Sequence, residues 1–328
     1  MSIRLGQYEI EGPLFLAPMA GVTDSPFRRL CRRFGADYAV GEMVASQPQL
    51  RHTDKSRMRL AFVDEPRPHT VQLLGGDPAE LSRAFEWACE AGADVIDFNM
   101  GCPAKKVCNV ACGSALMKDE ARAEVLIKAL GRAAEECGRP VTLKCRLGWD
   151  RAHKNAATIA KMAEQAGFAL IAVHARTRED GYTGEPDYAG VAEVVSQTAL
   201  PVVVNGDIAD ANHAAAVMKF TGARACMIGR AALGRPWVFE DIRAELAGKA
   251  LPVRSYAQKA QVVLAHARSH HAYYGESVTA ARTFRKHLLW YLGDFPQFES
   301  VRVALCRSEK PEQQRALLTQ YFQNQGWL

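Results

Sequence analysis

Short runs of apolar residues recur along the first three quarters of the chain, and each is followed by a glycine-containing or polar turn and then by a helix-like stretch. This alternation is typical of repeated βα units around a parallel sheet. The predicted strands are Leu14 to Ala17, Tyr38 to Val40, Thr70 to Leu73, Val95 to Phe98, Val141 to Lys144, Leu170 to His174, Val202 to Asn205 and Cys226 to Gly229. Eight parallel strands close a (β/α)8 barrel. We therefore predict an α/β fold of the TIM-barrel type, with an open doubly wound sheet as the alternative.

The helix between the third and fourth predicted strands has signals at both ends. Asp77 can cap its N-terminus, Pro78 fits its first turn, and Gly92 can end it. Leu81 and Phe85 lie about one turn apart, so they fall on the same face. This segment is therefore predicted to be an amphipathic helix that packs on the sheet.

After Pro236 the alternation stops, and apolar positions recur at spacings of three and four. This spacing predicts helices over Ser255 to Tyr274, Ala280 to Leu292 and Pro311 to Gln323. We therefore predict a smaller, all-helical C-terminal domain, with the barrel at residues 1–243 and the helical domain at residues 244–328.

Length and composition agree with this division. The chain has 328 residues, which exceeds the roughly 250 to 300 at which a single core stops growing. Apolar residues make up 48% and charged residues 23%, as in globular proteins. No apolar run has the length of a membrane helix, and the first residues lack the apolar run of a signal peptide. Nine cysteines without paired spacing favour a reducing compartment, so we expect a cytoplasmic protein with free thiols and no membrane association.

The positive charge is concentrated at one end of the chain. The net charge is +5, and residues 245–328 carry 11 Lys and Arg against 6 Asp and Glu, which accounts for the whole excess. Four of the nine histidines lie there as well. This distribution favours a polyanionic partner, and an ordinary solvated helical face is the alternative.

Polar residues follow most of the predicted strands. Active sites of such barrels form at the C-terminal ends of the strands, and a purely structural barrel would not need reactive side chains at successive strand ends. The residues at these positions are Gln72, Asn99, Cys102, Lys144, Arg146, His174, Arg176, Asn205, Asp207 and Arg230. We therefore predict that the barrel is an enzyme.

The turns after the seventh and eighth strands have the features of a phosphate site. Gly206 and Gly229 free backbone amides, and Arg230 adds a charged donor. Either turn alone is more often only a turn. Because both occur at the strands where such barrels bind phosphate, a phosphorylated ligand is predicted.

The turn after the fourth strand presents a thiol. Cys102 lies between Gly101 and Pro103, and an unperturbed thiol with a pKa near about 8.5 is mostly protonated at neutral pH, so it can act as an acid or as a nucleophile. A metal site with Cys108 and Cys112 is the alternative, but the spacing matches no known ligand pattern. We expect no metal here.

Lys144 and His174 each admit more than one function. Lys144 ends an apolar strand, so it could form a Schiff base or stabilise negative charge on a cofactor. His174 and Arg176 could bind the edge of a flavin or a phosphate, and a core histidine bonded to backbone is the alternative.

Several long motifs, in order, resemble those of the tRNA-dihydrouridine synthases, and some resemble the bacterial B-type branch in particular. They are Leu16-Ala17-Pro18-Met19-Ala20-Gly21-Val22-Thr23-Asp24, Asn99-Met100-Gly101-Cys102-Pro103, Gly113-Ser114-Ala115-Leu116-Met117, Asn205-Gly206-Asp207-Ile208, Met227-Ile228-Gly229-Arg230-Ala231, Gly234-Arg235-Pro236-Trp237 and Arg285-Lys286-His287. The resemblance covers nearly the whole chain. It implies an FMN enzyme that uses NADPH to reduce the C5–C6 double bond of specific uridines in tRNA to 5,6-dihydrouridine.

The resemblance also implies roles for individual residues. Cys102 would give a proton to uracil C5 as hydride from reduced FMN adds to C6, and Asn99, Arg146 and Arg176 would contact the substrate. The residues implied to hold the flavin are Pro18, Met19, Ala20, Gln72, Lys144, His174, Asn205, Gly206, Asp207, Gly229 and Arg230.

The resemblance to tRNA enzymes agrees with the basic C-terminal region. A stacked base must be flipped out before it can react, and a basic helical domain could hold the rest of the RNA. Arg282, Arg285 and Lys286 fall on one face of their predicted helix, and we predict that they bind tRNA in a salt-sensitive way. We expect a monomer.

The chain departs from the family pattern at two places near the predicted site. The segment Cys108 to Cys112 lacks the basic or glycine-rich residues usual in this loop, and Ala175 replaces the usual glycine. An atypical RNA substrate therefore stays open. So do three competing functions: a flavin barrel that reduces a free pyrimidine, an aldolase that uses Lys144, and a barrel that only binds RNA.

Overall fold

A computed structural model describes residues 2–51, 53–293 and 295–328. The strands are β1 (Ile3–Leu5), β2 (Tyr8–Ile10), β3 (Leu14–Leu16), β4 (Tyr38–Ala39), β5 (Met43–Ala45), β6 (Thr70–Leu74), β7 (Val95–Met100), β8 (Val141–Arg146), β9 (Leu170–His174), β10 (Val202–Asn205) and β11 (Ala225–Ile228). The α-helices are α1 (Ser25–Arg33), α2 (Pro48–Arg51), α3 (Asp54–Arg59), α4 (Pro78–Glu90), α5 (Lys105–Cys108), α6 (Glu120–Cys137), α7 (Ala156–Gln165), α8 (Tyr188–Gln197), α9 (Ala211–Thr221), α10 (Val238–Leu246), α11 (Tyr256–Tyr273), α12 (Val278–Leu292), α13 (Glu299–Arg307) and α14 (Pro311–Asn324). Two 3-10 helices cover Gly113–Lys118 and Arg230–Ala232.

Nine parallel strands form a sheet in the order β4-β3-β11-β10-β9-β8-β7-β6-β5. The strands at its two edges, β4 and β5, are separated by only residues 40–42, so they are two halves of one barrel strand. One half pairs with β3 and the other with β6, and the sheet therefore closes on itself with eight strand positions. The predicted (β/α)8 barrel is confirmed, and each of the eight predicted strands overlaps an observed one.

A short hairpin covers the N-terminal end of the barrel. Strands β1 and β2 pair antiparallel, and their Ile3, Leu5 and Ile10 form one buried cluster with Phe15 and Tyr38 of the barrel strands. Apolar side chains therefore fill much of this end of the barrel.

Side-chain caps explain where many helices begin. Helix α4 starts as predicted, since Asp77 accepts a hydrogen bond of 2.8 Å from the amide of Glu80. A cap of this kind contributes about 1 kcal/mol because it satisfies an amide that has no partner within the helix. The same arrangement starts seven further helices, at Asp24, Thr53, Asp119, Asp187, Asp210, Ser255 and Ser277.

The C-terminal region is helical, as predicted. Helices α11, α12 and α14 agree with the predicted segments to within a few residues, whereas α10 and α13 were not predicted. Members of this region pack around their own buried apolar cluster, which includes Phe284, Leu288 and Phe322. The predicted division at residue 243 falls inside α10, and the division into two domains stays a prediction.

The helical region packs against helix α1 of the barrel. Leu30 and Phe34 reach into its apolar cluster, and a guanidinium nitrogen of Arg29 donates a hydrogen bond of 2.6 Å to Ser269 Oγ. Lys286 Nζ donates to the carbonyl of Gly21. Helix α12 therefore lies beside the turn that follows the first barrel strand.

Two further features bear on the expectations from the sequence. Within the three described ranges, none of the helices combines the length and the apolar content that crossing a bilayer requires. All nine cysteines are free thiols, as expected.

Gly234 lies at the contact between the barrel and helix α12. Its backbone is left-handed, with φ +68°, and a Cβ there would collide with the carbonyl group of Trp290. Gly248 has nearly the same φ, +67°, but nothing lies within 4 Å of its Cβ position. We expect Gly248→Ala to lower the free energy of unfolding by about 1 to 2 kcal/mol, and Gly234→Ala by roughly 3 kcal/mol or more. Equal losses in denaturant titrations of the two variants would contradict this account of the contact.

Candidate active site

A cavity of about 970 Å³ opens at the C-terminal ends of the barrel strands. This volume is at the upper end of the range of about 300 to 1,000 Å³ for small-molecule sites. The predicted site residues that line it are Pro18, Met19, Ala20, Gln72, Asn99, Cys102, Lys144, Arg146, His174, Asn205, Gly206, Asp207, Gly229 and Arg230. The structure thus gathers in one cavity residues that are far apart in the sequence.

The strand register explains why these residues meet. Asn99 on β7 lies opposite Lys144 on β8, and Arg146 lies opposite His174 on β9. His174 in turn lies opposite Asn205 on β10. Because neighbouring parallel strands end at the same edge, matched positions bring their side chains to one level of the cavity wall.

A chain of buried hydrogen bonds connects the barrel interior to the Cys102 turn. Thr142 Oγ1 donates to Asp97 Oδ1 at 2.6 Å, and Gln72 Nε2 donates to Asp97 Oδ2 at 2.7 Å. Asn99 Nδ2 donates to Gln72 Oε1 at 2.7 Å. Asn99 Oδ1 then accepts from the amides of Gly101 and Cys102, at 3.1 and 3.0 Å. Asn99 therefore fixes the backbone that carries the thiol.

Cys102 is held from its carbonyl side as well. Its carbonyl accepts hydrogen bonds from Ser114 Oγ at 2.8 Å and from the Ser114 amide at 3.1 Å. Burial raises the pKa of the Cys102 thiol, and the amide of Ala104 opposes this rise only in part. The thiol is therefore protonated at neutral pH, in the form that can donate a proton.

Arg146 supports the same turn from β8. Its Nε donates to the carbonyl of Gly101 at 2.8 Å, and one terminal nitrogen donates to the carbonyls of Thr177 and Gly181 at 2.9 and 2.7 Å. The guanidinium carbon lies 5.2 Å from the centre of the Tyr182 ring. Arg146 thus connects the Cys102 turn to the loop after β9 and adds positive charge to the cavity wall.

Lys144 and His174 have pKa values shifted in the same direction. Burial, and then the charge of Arg146, lowers the pKa of Lys144 to about 8, and its Nζ donates a hydrogen bond of 3.1 Å to Asn205 Oδ1. Burial and the charge of Lys144 lower the pKa of His174 far below its ordinary value. At neutral pH the wall therefore presents a cationic Lys144 beside a neutral His174.

The two glycine turns line the cavity next to positive charge. Gly206 and Gly229 are both part of the cavity wall, and Gly206 has φ +143°, a backbone conformation that favours glycine. Asp207 pairs with Arg176 at 2.6 Å and also with Arg230. Two guanidinium groups around one carboxylate leave a net positive charge, and together with the backbone amides of the two turns this suits a phosphate.

Four residues predicted to bind the substrate lie outside the cavity wall. Arg176 is buried, and besides Asp207 it donates to the carbonyls of Thr183 and Gly184. We interpret it as a positioning residue for Asp207 and the loop after β9. Residues Arg282, Arg285 and Lys286 share one side of α12, where Arg282 pairs with Glu309 and is more than half exposed.

The histidines of the last quarter of the chain do not contribute to its surface charge. The four are buried, with exposed fractions between 0 and 2%: His266, His270, His271 and His287. The surface charge that would attract a polyanionic partner therefore comes from the arginines and lysines alone.

Some cavity residues were not predicted. Met43 and Tyr182 line the wall, and Asp97 with Thr142 supports Gln72 from below. Asp97 interrupts an apolar strand pattern. An acidic residue at such a position is the one signal in the sequence that could have indicated its role. Tyr182 is flanked by Gly181 in a polar loop, and nothing in that pattern distinguishes it from an ordinary surface tyrosine.

The chain is similar to proteins of one family over nearly its whole length. A family model described as "Dihydrouridine synthase (Dus)" matches residues 15–325. A tRNA-dihydrouridine synthase B from Pseudomonas aeruginosa is 46% identical over 328 residues, covering 99% of this chain and 98% of its own length. The protein of the same name from Escherichia coli K12 is 42% identical over 323 residues, with 98% and 99% covered.

Solved structures of similar fold are much more distant in sequence. A morphinone reductase mutant in complex with tetrahydroNAD has a TM-score of 0.55 at 14% identity, covering 79% of this chain and 93% of its own. The old yellow enzyme from Trypanosoma cruzi has a TM-score of 0.52 at 10% identity, with 79% and 94% covered. At these identities the likeness supports the barrel fold alone.

Proposed function

Because this chain belongs to the dihydrouridine synthase family, we propose that it reduces the C5–C6 double bond of specific uridines in tRNA to 5,6-dihydrouridine. FMN is the proposed cofactor and NADPH the proposed reductant. The observation that carries the proposal is the Cys102 thiol, which is kept protonated by burial and is fixed by Asn99 and Ser114 at the wall of a cavity with a cationic lysine.

The residues of the cavity fit FMN. The turns at Gly206 and Gly229 with Arg230 suit its phosphate, and Asn205 and Asp207 offer polar partners for the ribityl chain. Pro18, Met19 and Ala20 would line the ring system, and Gln72, Lys144 and His174 would contact its edge. When bound and reduced, FMN supplies the hydride that adds to C6 of the uracil.

The chain's own residues have two tasks in this reaction. Addition at C6 leaves negative charge on the uracil, and the Cys102 thiol would quench it by donating its proton to C5. The thiolate formed would then be reprotonated from solvent. Arg146 and Asn99 hold the Cys102 turn in place, and a remaining donor of each could orient the uracil carbonyls.

The tRNA would lie across the cavity mouth and helix α12. Lys286 contacts the carbonyl of Gly21, and the neighbouring Ala20 lines the cavity, so the basic side of α12 begins close to the mouth. Residues 244–328 would then be the tRNA-recognition domain and residues 1–243 the FMN-binding domain. We propose that the protein acts as a cytoplasmic monomer.

The pKa of Lys144 predicts a pH dependence. Positive charge at Nζ favours negative charge on a reduced flavin, and Lys144 loses its proton as the pH rises through about 8. We expect the reduction potential of bound FMN to fall more steeply above that pH in the wild type than in Lys144→Met. The exposed Lys118 provides a control, since Lys118→Met should keep the wild-type profile. Identical profiles for all three proteins in spectroelectrochemical titrations would refute this role.

A spectroscopic experiment tests the proposed function. The purified protein should show the visible absorption of a flavin, lose it on anaerobic addition of NADPH, and regain it when uridine-containing tRNA transcript is added. Free uridine should not restore the absorption, because it lacks the tRNA phosphates that the basic side of α12 would bind. A colourless protein that cannot take up FMN would overturn the proposal.

A further inference from the structure

Three buried histidines of the helical region face one another. His266 and His270 lie one turn apart on α11, and His287 lies on α12. One possible ligand nitrogen from each falls within 4.8 Å of the other two. An ion among them would lie about 2.8 Å or less from each nitrogen, whereas zinc–nitrogen bonds are about 2.0 to 2.1 Å. Side-chain movements of less than about 1 Å would therefore close the site.

Four of the six ring nitrogens of this cluster are buried and make no hydrogen bond. They are His266 Nε2, both ring nitrogens of His287, and His270 Nδ1, which faces Asp24 Oδ2. The other nitrogens are engaged: His266 Nδ1 contacts Tyr291 Oη at 2.9 Å, and His270 Nε2 contacts Thr283 Oγ1 at 2.9 Å. His266 and His270 thus have the arrangement of metal-binding histidines, in which one nitrogen binds the metal and the other is oriented by a second group.

His270 lies between Thr283 and Asp24. Its Nε2 contacts Thr283 Oγ1, and that hydroxyl also donates to the carbonyl of Thr279 at 2.8 Å. On the other side, Nδ1 lies 3.1 Å from Asp24 Oδ2, which is the distance of an ion pair. A carboxylate this close to the cluster would stabilise a cation bound among the histidines.

Two cationic side chains near this carboxylate are engaged with other groups. Arg28 pairs with Glu65, and Lys286 Nζ donates to the carbonyl of Gly21. Asp24 itself is fixed, because its Oδ1 caps helix α1 through the amide of Phe27 at 3.0 Å. Its Oδ2 is therefore left facing the histidines.

The other two histidines lie in an apolar surrounding. Phe27 and Phe284 pack against the imidazoles, with ring centres 5.2 to 5.6 Å from those of His266 and His287. This apolar surrounding strengthens the attraction between a cation and the cluster.

We propose that His266, His270 and His287 bind a divalent transition-metal ion, with the Asp24 carboxylate beside the site as its counter-charge. Zn²⁺ is the ion that three imidazoles and a neighbouring carboxylate suit best under reducing conditions. The ion would clamp α11 and α12 to the start of α1, next to the turn that leads into the cavity. Its role is structural, and it lies apart from the proposed flavin site.

Metal analysis of the full-length protein tests this proposal directly. We expect about one equivalent of Zn²⁺ per chain after purification from zinc-supplemented medium and desalting, measured by elemental mass spectrometry. Removal of the ion with a chelator should lower the melting temperature, and added Zn²⁺ should restore it. These measurements need no variant, so a variant that fails to fold does not leave the proposal untested.

A matched pair of variants locates the ion. His287→Gln should lower the bound Zn²⁺ roughly tenfold or more and abolish the thermal response to Zn²⁺. His271→Gln is the control, because His271 is equally buried in the same region but contacts Gln314 at 2.9 Å and lies outside the cluster. A wild-type protein without bound Zn²⁺ under these conditions would overturn the proposal. So would equal Zn²⁺ contents of wild type and His287→Gln, which would assign the ion to the cysteines.

Discussion

Replacing Cys102 by alanine should abolish nearly all dihydrouridine formation while leaving the flavin site intact. The proposed proton donor is lost, and a positioned general acid contributes roughly 10²- to 10⁴-fold to a rate. Flavin binding should persist because the turns at Gly206, Gly229 and Arg230 are untouched. Single-turnover product formation and the rate of flavin reduction by NADPH, measured on the same preparation, separate the two effects.

Cys108 provides the control for this experiment. Its thiol lies in the same loop and contacts the carbonyl of Cys102 at 3.7 Å, but it is not part of the cavity wall. Cys108→Ala should therefore retain activity to within a few-fold. Full product formation by Cys102→Ala would remove Cys102 from the acid role, and an equal loss in both variants would point to loop structure rather than proton donation.

Neutralising the basic side of α12 should weaken tRNA binding by roughly 10- to 100-fold at low salt. In the triple variant Arg282→Gln, Arg285→Gln and Lys286→Gln, up to three phosphate contacts are lost. The slope of log K against log salt concentration should then fall by about 2 to 3. Binding titrations with tRNA transcript at several salt concentrations measure both quantities.

The controls for the triple variant address folding and specificity. Flavin reduction by NADPH should be unchanged, because none of the three residues lines the cavity. Arg302→Gln changes another exposed arginine of the helical region, which pairs with Glu299 on α13, and it should affect tRNA binding much less. Unchanged tRNA affinity in the triple variant would mean that this side of α12 is only a solvated surface.

The barrel could be predicted from the sequence because its strands are buried on both faces. Each strand therefore appears as an apolar run, and the runs could be counted. The exception was the second barrel strand, which is interrupted at Gly41 and Glu42, so that Met43–Ala45 was missed. A polar interruption removes the apolar pattern, although the chain on both sides of it occupies the same strand position in the sheet.

The cavity residues could be predicted because parallel strands all end at the same edge of the sheet. Their partners could not be predicted. Arg176 follows β9 like its neighbours, but its pairing with Asp207 and two loop carbonyls uses it for support. The burial of His266, His270 and His287 likewise depends on the packing of α11 and α12 on α1, and helical spacing does not reveal which side is covered.

We propose that this protein makes dihydrouridine in tRNA, and nucleoside analysis of a tRNA transcript tests this activity. Unmodified tRNA transcript is incubated with the purified protein, FMN and NADPH, digested, and analysed by mass spectrometry. We expect a nucleoside two mass units heavier than uridine, formed only when NADPH and Cys102 are both present. A flavin-loaded, NADPH-reducible protein that leaves every uridine of the transcript unchanged would contradict it.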